Sequence, residues 1–576
     1  MNRKQSDAQR SLLSTEEEQA TKTLRFDKTF RIAVSGDVML TELERLIVDT
    51  EDFQRLRGVR QLGTVCYVYP TALHTRFDHS LGTLEMADRM ISSIRNNTSS
   101  SEEERNIEEV QRIIARLYAL LHDVPHVPFG HTIEDELGLF QRHDENPERI
   151  NRFLGPESSI GQLIINNLGE PTYDRFMAAY LWVDDADTDA ATTVRRSADP
   201  KWEKLRPWLE MKHDDVFIHD IVSNTVCADL LDYLQRDSYF CNLCIGLEYR
   251  FLNFLYLHKL KDPSNSRRRV FIRLWKGRKN TPRRDTLTDL ARLLEARYML
   301  AERAYFHHTK IITGAMLGRA LQEAHAAGEL TEESLYEHSD DSLLRLLQRS
   351  KAEVAASLAK RLASRRLFKV IAVFDGPSFQ EAQHHDHEVT FKDAALSILT
   401  DPEYRRAYED ELVEKIDVSP GSVLIYAPPS EMNFKLARMN VRWQGSDMHF
   451  CQIDDPVIRP RLEEILKAHK MLWGVWLVGD SSLSQERKSM LVEDFTLRFL
   501  LSQNEAGLNE RRRKHVEALL DMRLISSGAS FDGKLAKLSE RKRAVAQEYL
   551  AASSDKRSHR VRLASAAKRI VEGTLG

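Results

Sequence analysis

Three separate segments of the chain carry histidines and aspartates whose types and spacing suit a metal centre. His79 lies in HTRFDHSLGTLEMA, His122 and Asp123 lie in LLHDVPHVPFGH, and Asp229 lies in NTVCADLLDYLQRD. Two imidazoles and two carboxylates are a donor set for a divalent transition metal, and they leave positions for water and for a phosphate oxygen. We therefore predict that these four residues bind one metal ion. Considered alone, His122 and Asp123 would also suit a capping pair at a helix end.

Helical segments must position these side chains. Apolar residues recur at i, i+3, i+4 and i+7 in five stretches between residues 26 and 325. These stretches are MLTELERLIVDTEDFQRLRGVRQL, GTLEMADRMISSIR, NIEEVQRIIARLYALLH, NTVCADLLDYLQRDSYF and TLTDLARLLEARYMLAERAYFHHTKIITGAML. The spacing places His79 near the start of one helix and His122 at the end of another. Adjacent helical side chains point about 100° apart, so His122 and Asp123 can share an ion that lies at a helix end between neighbouring helices.

The composition and the hydrophobic spacing of the sequence divide the chain into four parts. Residues 1–25 are polar and predict a disordered tail, and the stretch DDADTDAATTVRRSADP at 184–200 predicts a surface loop or insertion inside the helical part, 26–325. Runs of β-type residues, LFKVIAVF, SVLIYA and MLWGVWLV, alternate with helical stretches and predict an α+β region over 326–480. Residues 481–576 return to charged helices. The predicted fold class is therefore mainly α, with a helical core, a smaller α+β region and a helical, basic C-terminal part.

Composition narrows the class of protein. The 576 residues are 42% hydrophobic and 30% charged, with a formal net charge of −4, which is typical of a soluble globular protein. No apolar run reaches the length of a membrane span, and five cysteines are too few for a disulfide framework, so we expect a cytoplasmic protein without membrane contact. Residues 534–570 hold eleven Lys and Arg against three acidic residues. This basic tail predicts a solvated helical face, or alternatively contact with nucleic acid.

The order H…HD…D, with RFDHSLG and LLHDVPHVPFGH, resembles the HD-domain phosphohydrolase superfamily. Within it, DTEDFQRLRGVRQLG, VYPTALHTRFDHSLG, IVSN, DLLDYLQRD and ERAYFHH resemble the deoxynucleoside triphosphate (dNTP) triphosphohydrolases of the sterile-alpha-motif/HD and bacterial dGTPase-like types, over roughly residues 31–310. The resemblance implies hydrolysis of dNTPs to deoxynucleoside and inorganic triphosphate, serving dNTP depletion or antiviral defence. It also implies a regulatory nucleotide and a homo-oligomer, such as a tetramer. The donor set accepts Fe, Mn, Zn, Co or Ni, with Mg on the substrate phosphates.

The resemblance also assigns roles to individual residues. The metal ligands of the family fall on His79, His122, Asp123 and Asp229. Its catalytic groups, three histidines and an acid that orients a histidine, fall on His126, His131, His143 and Glu134. Its substrate-binding positions comprise two phosphate-binding arginines, four residues of the deoxyribose pocket and one tyrosine near the base, and they fall on Arg76, Arg297, Gln61, Leu62, Tyr233, Asp237 and Tyr305. Its activator site falls on Asp49, Gln54 and Arg57.

Simpler roles compete with several of these assignments. His126 and His131 could satisfy backbone groups of their loop, and His143 could begin an exposed helix. Arg76 could form an ion pair with Asp78, and Arg297 could be salt-bridged on its helix.

The sequence also departs from the family. A lysine that follows the last metal aspartate is replaced by Leu230, the LGHGP of the HD motif by VPHVP, and a segment of the activator site by IAVSGDV. Two alternative functions therefore stay open. One is an HD-type phosphodiesterase or nuclease acting on single-stranded nucleic acid or a signalling nucleotide. The other is a non-hydrolytic nucleotide sensor.

Overall fold

Helices bring the candidate ligand segments together. The structure is a computed structural model that describes residues 25–98, 106–183, 196–211, 215–260, 267–276, 281–375, 378, 399–429 and 438–499. In the N-terminal half, the helices are α1 (Glu42–Val48), α2 (Glu51–Gln54), α3 (Arg76–Asn97), α4 (Glu109–Leu121), α5 (Pro147–Leu154), α6 (Ser159–Leu168), α7 (Glu170–Leu181), α8 (Arg206–Leu209), α9 (Val216–Val222) and α10 (Ala228–Phe240). Farther along the chain follow α11 (Arg284–Leu300), α12 (His308–Ala326), α13 (Asp340–Gln348), α14 (Glu353–Ala363), α15 (Pro402–Lys415), α16 (Ile458–Lys470) and α17 (Gln485–Phe499).

The local sequence explains where the site-forming helices begin and end. At the start of α3, Asp78 Oδ2 accepts a hydrogen bond from the Thr75 backbone nitrogen at 3.2 Å, which satisfies one of the free N–H groups of that terminus. In α4, all thirteen residues but Glu109 and Arg112 are buried. This helix therefore runs through the core and ends at His122, where the loop with two prolines begins.

Within the described ranges, the strands form four small sheets. The strands are β1 (Phe26–Ile32), β2 (Gly36–Thr41), β3 (Leu255–Lys259), β4 (Arg268–Ile272), β5 (Trp275–Lys276), β6 (Thr281–Pro282), β7 (Lys369–Asp375), β8 (Val423–Tyr426), β9 (Asn440–Trp443), β10 (Ser446–His449) and β11 (Gly474–Gly479). Strands β1 and β2 form a hairpin, as do β5 and β6. A four-stranded sheet has the order β10-β9-β4-β3, with β4 and β9 parallel, and an antiparallel sheet has the order β7-β11-β8.

The mainly α fold class is confirmed. The three predicted β-type runs are strands β7, β8 and β11, and they pair with one another in a single sheet. Helical patterns were expected to dominate residues 26–325, and the structure adds strands between those helices. The hairpin β1–β2, the strands β3 and β4 and the hairpin β5–β6 were not predicted, because strands of two to seven residues carry too little periodicity to compete with long amphipathic stretches.

Two clusters of buried apolar side chains organise the described residues. The first runs from Val38 to Phe368 and adds side chains from residues 424–478. The second joins β7, β8 and β11 to α15 and α17, with Tyr408 and Phe495 at its centre. The domain boundaries at 25, 325 and 480 stay predictions, although α13 and α14 contribute to the first cluster beyond residue 325. The predictions for residues 1–24, 184–195 and 500–576 lie outside the described residues.

Candidate metal centre

The four predicted ligands converge from three helices. The Nε2 atom of His79, on the first turn of α3, lies 3.0 Å from Asp229 Oδ1, on the first turn of α10. It also lies 3.3 Å from His122 Nε2 and 3.7 Å from Asp123 Oδ2, both at the C-terminal end of α4. His79 is fully buried, whereas the Asp229 side chain is 34% exposed. The cluster is thus closed on the His79 side and open at Asp229.

The partners of the two histidines fix which nitrogen faces the cluster. His79 Nδ1 lies 2.9 Å from Asp232 Oδ2, and His122 Nδ1 lies 2.9 Å from the carbonyl oxygen of Ala119. Both partners are acceptors, so each Nδ1 carries the hydrogen and donates it, which leaves a lone pair on each Nε2. Two lone pairs and two carboxylates then point at one another, and this arrangement is favourable only with a positive charge between them.

A metal ion suits this arrangement in charge and in size. Burial would lower the pKa of His79, but its hydrogen bonds with Asp229 and Asp232 raise that pKa to about 10, so without a metal the site holds a proton instead. With metal–ligand bonds of about 2.1 Å, neighbouring ligand atoms lie about 3.0 Å apart in an octahedral arrangement and about 3.4 Å apart in a tetrahedral one. The observed separations of 3.0, 3.3, 3.5 and 3.7 Å cover this range. The residues present therefore fit a divalent transition metal.

A second group of histidines lies beside the cluster. The rings of His126 and His143 have centroids 3.6 Å apart and planes tilted by 32°, and the centroid of the His131 ring lies 4.7 Å from that of His126. His126 Nδ1 lies 2.7 Å from Glu134 Oε2, and His126 Nε2 lies 3.3 Å from Asp123 Oδ1. Burial, together with the positive charges of Arg76 and His143, lowers the pKa of His126 to about 4. The structure thus brings the four predicted catalytic residues together, next to one metal ligand.

His131 is the member of this group that reaches solvent. Its side chain is 46% exposed, and Nδ1 is hydrogen-bonded to the Asp135 carboxylate one helical turn later. Desolvation in the loop opposes protonation, but Asp135 raises the pKa of His131. Since Nδ1 is engaged, Nε2 is the end of the ring that a bound molecule would meet.

Arg76 is buried against the metal ligands. Its Nη1 donates to Asp123 Oδ2 at 2.5 Å, so the alternative role of Arg76 as an ion-pair partner of Asp78 was wrong, and Asp78 caps α3 instead. The Nε and Nη2 atoms of Arg76 have no hydrogen-bond partner among the described residues. A Cβ on Gly130 would lie 2.6 Å from Nη2, so a larger residue at Gly130 would displace the guanidinium. Unpaired buried N–H groups at this place suit an anionic ligand such as phosphate.

Asp237, a predicted residue of the deoxyribose pocket, is held by Tyr305, the tyrosine predicted near the base, and by His74. Tyr305 donates its hydroxyl hydrogen to Asp237 Oδ2 at 2.8 Å, and His74 Nε2 lies 2.8 Å from Asp237 Oδ1. Asp237 lies two turns after Asp229 on α10, with Tyr233 between them. The Gln61 backbone nitrogen donates to the His74 carbonyl oxygen at 3.0 Å. These residues therefore line the side of α10 that continues from the metal cluster.

The side chains of two predicted pocket residues, Gln61 and Leu62, and of the predicted phosphate-binding Arg297 have different surroundings. The Oε1 atom of Gln61 is buried and has no hydrogen-bond partner among the described residues. Leu62 packs against the first apolar cluster. Arg297, on the last turn of α11, is close enough to Tyr233 and His469 to affect their protonation.

The predicted activator residues make local contacts. Asp49 accepts from Arg45 Nη1 at 3.2 Å, and Gln54 Oε1 accepts from Arg57 Nε at 2.8 Å. The Arg57 guanidinium also lies 3.6 Å from the centroid of the Phe77 ring. Their role in nucleotide binding stays a prediction.

Several residues that position the site were missed from the sequence. Asp232 holds His79, His74 holds Asp237, Asp135 holds His131, and Arg149 is paired with Glu134. The sequence offered a signal for two of them, because residues three or four positions apart on a helix lie side by side. Asp232 lies three residues after Asp229, and Asp135 lies four residues after His131. His74 and Arg149 had none, since their partners lie 163 and 15 residues away in sequence.

Two known family profiles match the segments that form this centre and the region that follows it. The profile of the HD domain matches residues 76–173, and that of the HD associated region matches residues 288–459. The chain therefore contains an HD domain, and it resembles the HD-domain phosphohydrolase superfamily. The matched HD domain contains the predicted ligands His79, His122 and Asp123 and the four candidate catalytic residues. The HD associated region supplies Arg297 and Tyr305 from its first part.

Curated relatives of this HD protein include two dNTP triphosphohydrolases. The deoxynucleoside triphosphate triphosphohydrolase SAMHD1 homolog of Dictyostelium discoideum is 27% identical over 359 residues, which are 60% of this chain and 60% of that protein. The human deoxynucleoside triphosphate triphosphohydrolase SAMHD1 is 24% identical over 418 residues, or 68% of this chain and 63% of its own. The matched regions thus span about three fifths of the length of these relatives.

A solved structure shares the fold of the HD protein. The crystal structure of a hypothetical protein from Aquifex aeolicus superposes with a TM-score of 0.51 at 20% identity, and it covers 81% of this chain and 99% of that one. Among the described residues, no helix is long and apolar enough to cross a membrane.

Proposed function

We propose that this HD protein is a metal-dependent dNTP triphosphohydrolase, which releases deoxynucleoside and inorganic triphosphate. The observation that carries the proposal is the convergence of the His79 and His122 lone pairs on Asp123 and Asp229, beside the unpaired nitrogens of Arg76. A bound divalent metal would lower the pKa of a water ligand and neutralise phosphate charge. The names of the two relatives support the substrate class.

Arg76 and His131 supply the protein's own part of the reaction. Arg76 is held by Asp123, so its free Nε and Nη2 are oriented to bind an oxygen of the α-phosphate. Water attacks the α-phosphorus, the bond from phosphorus to the sugar 5′-oxygen breaks, and His131 donates a proton to that oxygen. The attacking water releases a proton, which restores the imidazolium. General acid catalysis of this kind is typically worth about 10²–10⁴-fold in rate.

The pocket around Asp237 supports a deoxyribose as the sugar. Asp237 is anchored on both oxygens by His74 and Tyr305, and it lies two turns from Asp229 on the same helix. Gln61 offers a buried unpaired acceptor, which suits a hydroxyl group of the ligand. Leu62 and Tyr233 then exclude a 2′-hydroxyl by their bulk.

The direct test uses each purified dNTP and rNTP with Mn, Fe, Co, Ni, Zn or Mg, and separates the products by chromatography. We expect deoxynucleoside and triphosphate from dNTPs and little product from rNTPs. His131→Gln should lower kcat by about 10²–10⁴-fold while the metal content is unchanged. His325→Gln is a matched control, because His325 Nδ1 is also engaged, by the Leu330 carbonyl at 2.8 Å, and touches no candidate site residue.

Other products would identify the alternatives. Mononucleotides released from single-stranded DNA and abolished by His122→Ala would replace the proposal by a nuclease. The burial of Leu230, which is 3% exposed and offers no charge to a triphosphate, is compatible with that outcome. Tight nucleotide binding without turnover or bound metal would instead indicate a sensor.

Assembly and regulation belong to the same proposal. We infer a homo-oligomer whose activity responds to a regulatory nucleotide, with Asp49, Gln54 and Arg57 as its contacts. Light scattering with and without GTP and dGTP measures whether the protein forms an oligomer and whether a nucleotide changes its assembly. This measurement is independent of the hydrolysis mechanism above, which uses neither the oligomer nor the activator. The basic tail lies outside the described residues, and its contact with nucleic acid stays a prediction.

A further inference from the structure

The first residues of α13 dock directly on the segment that leads into the sugar pocket. A Cβ added to Gly58 would lie 2.5 Å from Ser339 Cβ, so only glycine permits this close approach. Ser339 caps α13, and the next residue, Asp340, is 1% exposed. An aspartate buried to this degree needs partners, because an unpaired carboxylate in the core is costly.

Asp340 uses its two oxygens for two different backbone segments. Oδ1 accepts from the Phe129 nitrogen at 2.8 Å, and Oδ2 accepts from the Arg60 nitrogen at 3.1 Å. The two segments are about 70 residues apart in sequence, and Asp340 is more than 200 residues from each. One carboxylate therefore joins three parts of the chain.

Both segments lead directly into the candidate site. Phe129 has a φ of 61°, in the left-handed region that a residue with a side chain rarely adopts, and it is followed by Gly130 and His131. Arg60 is followed by Gln61 and Leu62. A change in either backbone position would move these side chains relative to the metal ligands, and a shift of about 1 Å at a reacting group can cost on the order of 100-fold in rate.

We propose that Asp340 is a positioning residue that fixes the His131 turn relative to the Gln61–Leu62 segment, so that the HD associated region completes the site. The expected effect of Asp340 on the rate of hydrolysis rests on the proposed function, whereas its role in fixing the geometry of the two segments does not. Burial raises the pKa of Asp340 to about 6 even though two N–H groups and Arg60 favour the anion. Holding a carboxylate at this place is thus unfavourable by itself, which is consistent with a role in joining the two segments.

The test compares Asp340→Asn with Asp341→Asn. Asparagine has nearly the same shape, but its single oxygen can accept from only one of the two segments and its NH₂ faces the other donor. Asp341 is the matched control, because it contacts only the Arg60 side chain, at 2.6 Å, and is 67% exposed. Two readouts are needed: kcat and KM for a dNTP, and hydrogen–deuterium exchange resolved to peptides covering residues 58–63 and 126–133.

We expect faster exchange in both peptides of Asp340→Asn, a kcat at least about 10-fold lower, and an unchanged metal content. Asp341→Asn should match the wild type in all three measurements. Exchange and kcat equal to those of Asp341→Asn would overturn the proposal, as would faster exchange spread over the whole chain, which indicates general destabilisation.

The design separates this proposal from the proposed function. If the wild type hydrolyses no dNTP, the proposed function fails, while local exchange still decides whether Asp340 fixes the two segments. If Asp340→Asn does not fold, the exchange of single amides in the wild type provides the test. If Asp340 holds both segments, the Phe129 and Arg60 amides are protected to the same degree. Unequal protection, with either amide exchanging like an exposed one, would overturn the proposal.

Discussion

Replacing Asp232 by asparagine should weaken metal binding without removing any ligand. Asp232 is 2% exposed, and its Oδ2 receives the hydrogen of His79 Nδ1 at 2.9 Å. Both oxygens also accept from Arg236, at 2.8 and 2.9 Å. An amide cannot replace this carboxylate, because its NH₂ must face either Arg236 or His79. In the second case the His79 hydrogen moves to Nε2 and blocks the lone pair that faces the metal.

The expected loss follows from this hydrogen bond. Changing a group that orients a metal-bound histidine typically costs about 10–100-fold in metal affinity, which corresponds to about 1.4–2.7 kcal/mol of binding free energy. Asp232 also carries one of the negative charges around the cluster, and it is buried, so solvent screens it little. We therefore expect a loss toward the upper end of that range.

Competition with a fluorescent chelator measures the metal affinity of Asp232→Asn against the wild type, with Mn and Co in parallel. Asp88→Asn is the matched control, since Asp88 is also held by an arginine, Arg112, at 2.9 and 3.0 Å, but contacts no candidate ligand. Circular dichroism establishes that both variants are folded. Wild-type affinity in Asp232→Asn, or equal losses in both variants, would refute the assignment of His79 Nε2 as a ligand.

Further predictions concern stability. Gly82→Ala should lower the free energy of unfolding in urea by about 1–3 kcal/mol and weaken metal binding, because the added Cβ would lie 2.0 Å from Asp232 Oδ1; unchanged values would contradict this packing. The pKa of Asp340 is raised to about 6 by burial, so the folded state binds this proton more tightly than the unfolded state. Relative to Asp340→Asn, the free energy of unfolding of the wild type should therefore fall as the pH rises from about 4 to about 6. An increase of that free energy over the same interval would contradict the prediction. Lys310→Met should cost about 3–5 kcal/mol because it removes the charge partner of the buried Glu136 carboxylate and leaves it only the hydrogen bond from Tyr426. The double variant with Glu136→Gln should cost less, and an equal cost would show that the pair is not coupled.

Helical periodicity allowed much of the fold to be predicted from the sequence. The helices that carry His79, His122 and Asp229 all lie where their apolar spacing places them. The runs LFKVIAVF, SVLIYA and MLWGVWLV are strands, as their β-branched and apolar residues indicate. These features are local, so that a window of ten to twenty residues contains their cause. The hairpin β1–β2 and the strands β3 and β4 were missed because strands of five to seven residues carry too little periodicity to be recognised.

By itself the sequence predicted the donor set of the candidate metal centre, because the residue types and the order of the HD pattern lie within short segments. Only the tertiary structure decided how those donors are held. Asp232 sets the tautomer of His79, Asp123 pairs with Arg76 in place of Asp78, and Asp340 joins two loops. The physical reason is that a buried polar group must find its partner wherever packing places one. For Asp340 the partners come from residues 280 and 211 positions away, a distance over which no spacing rule applies.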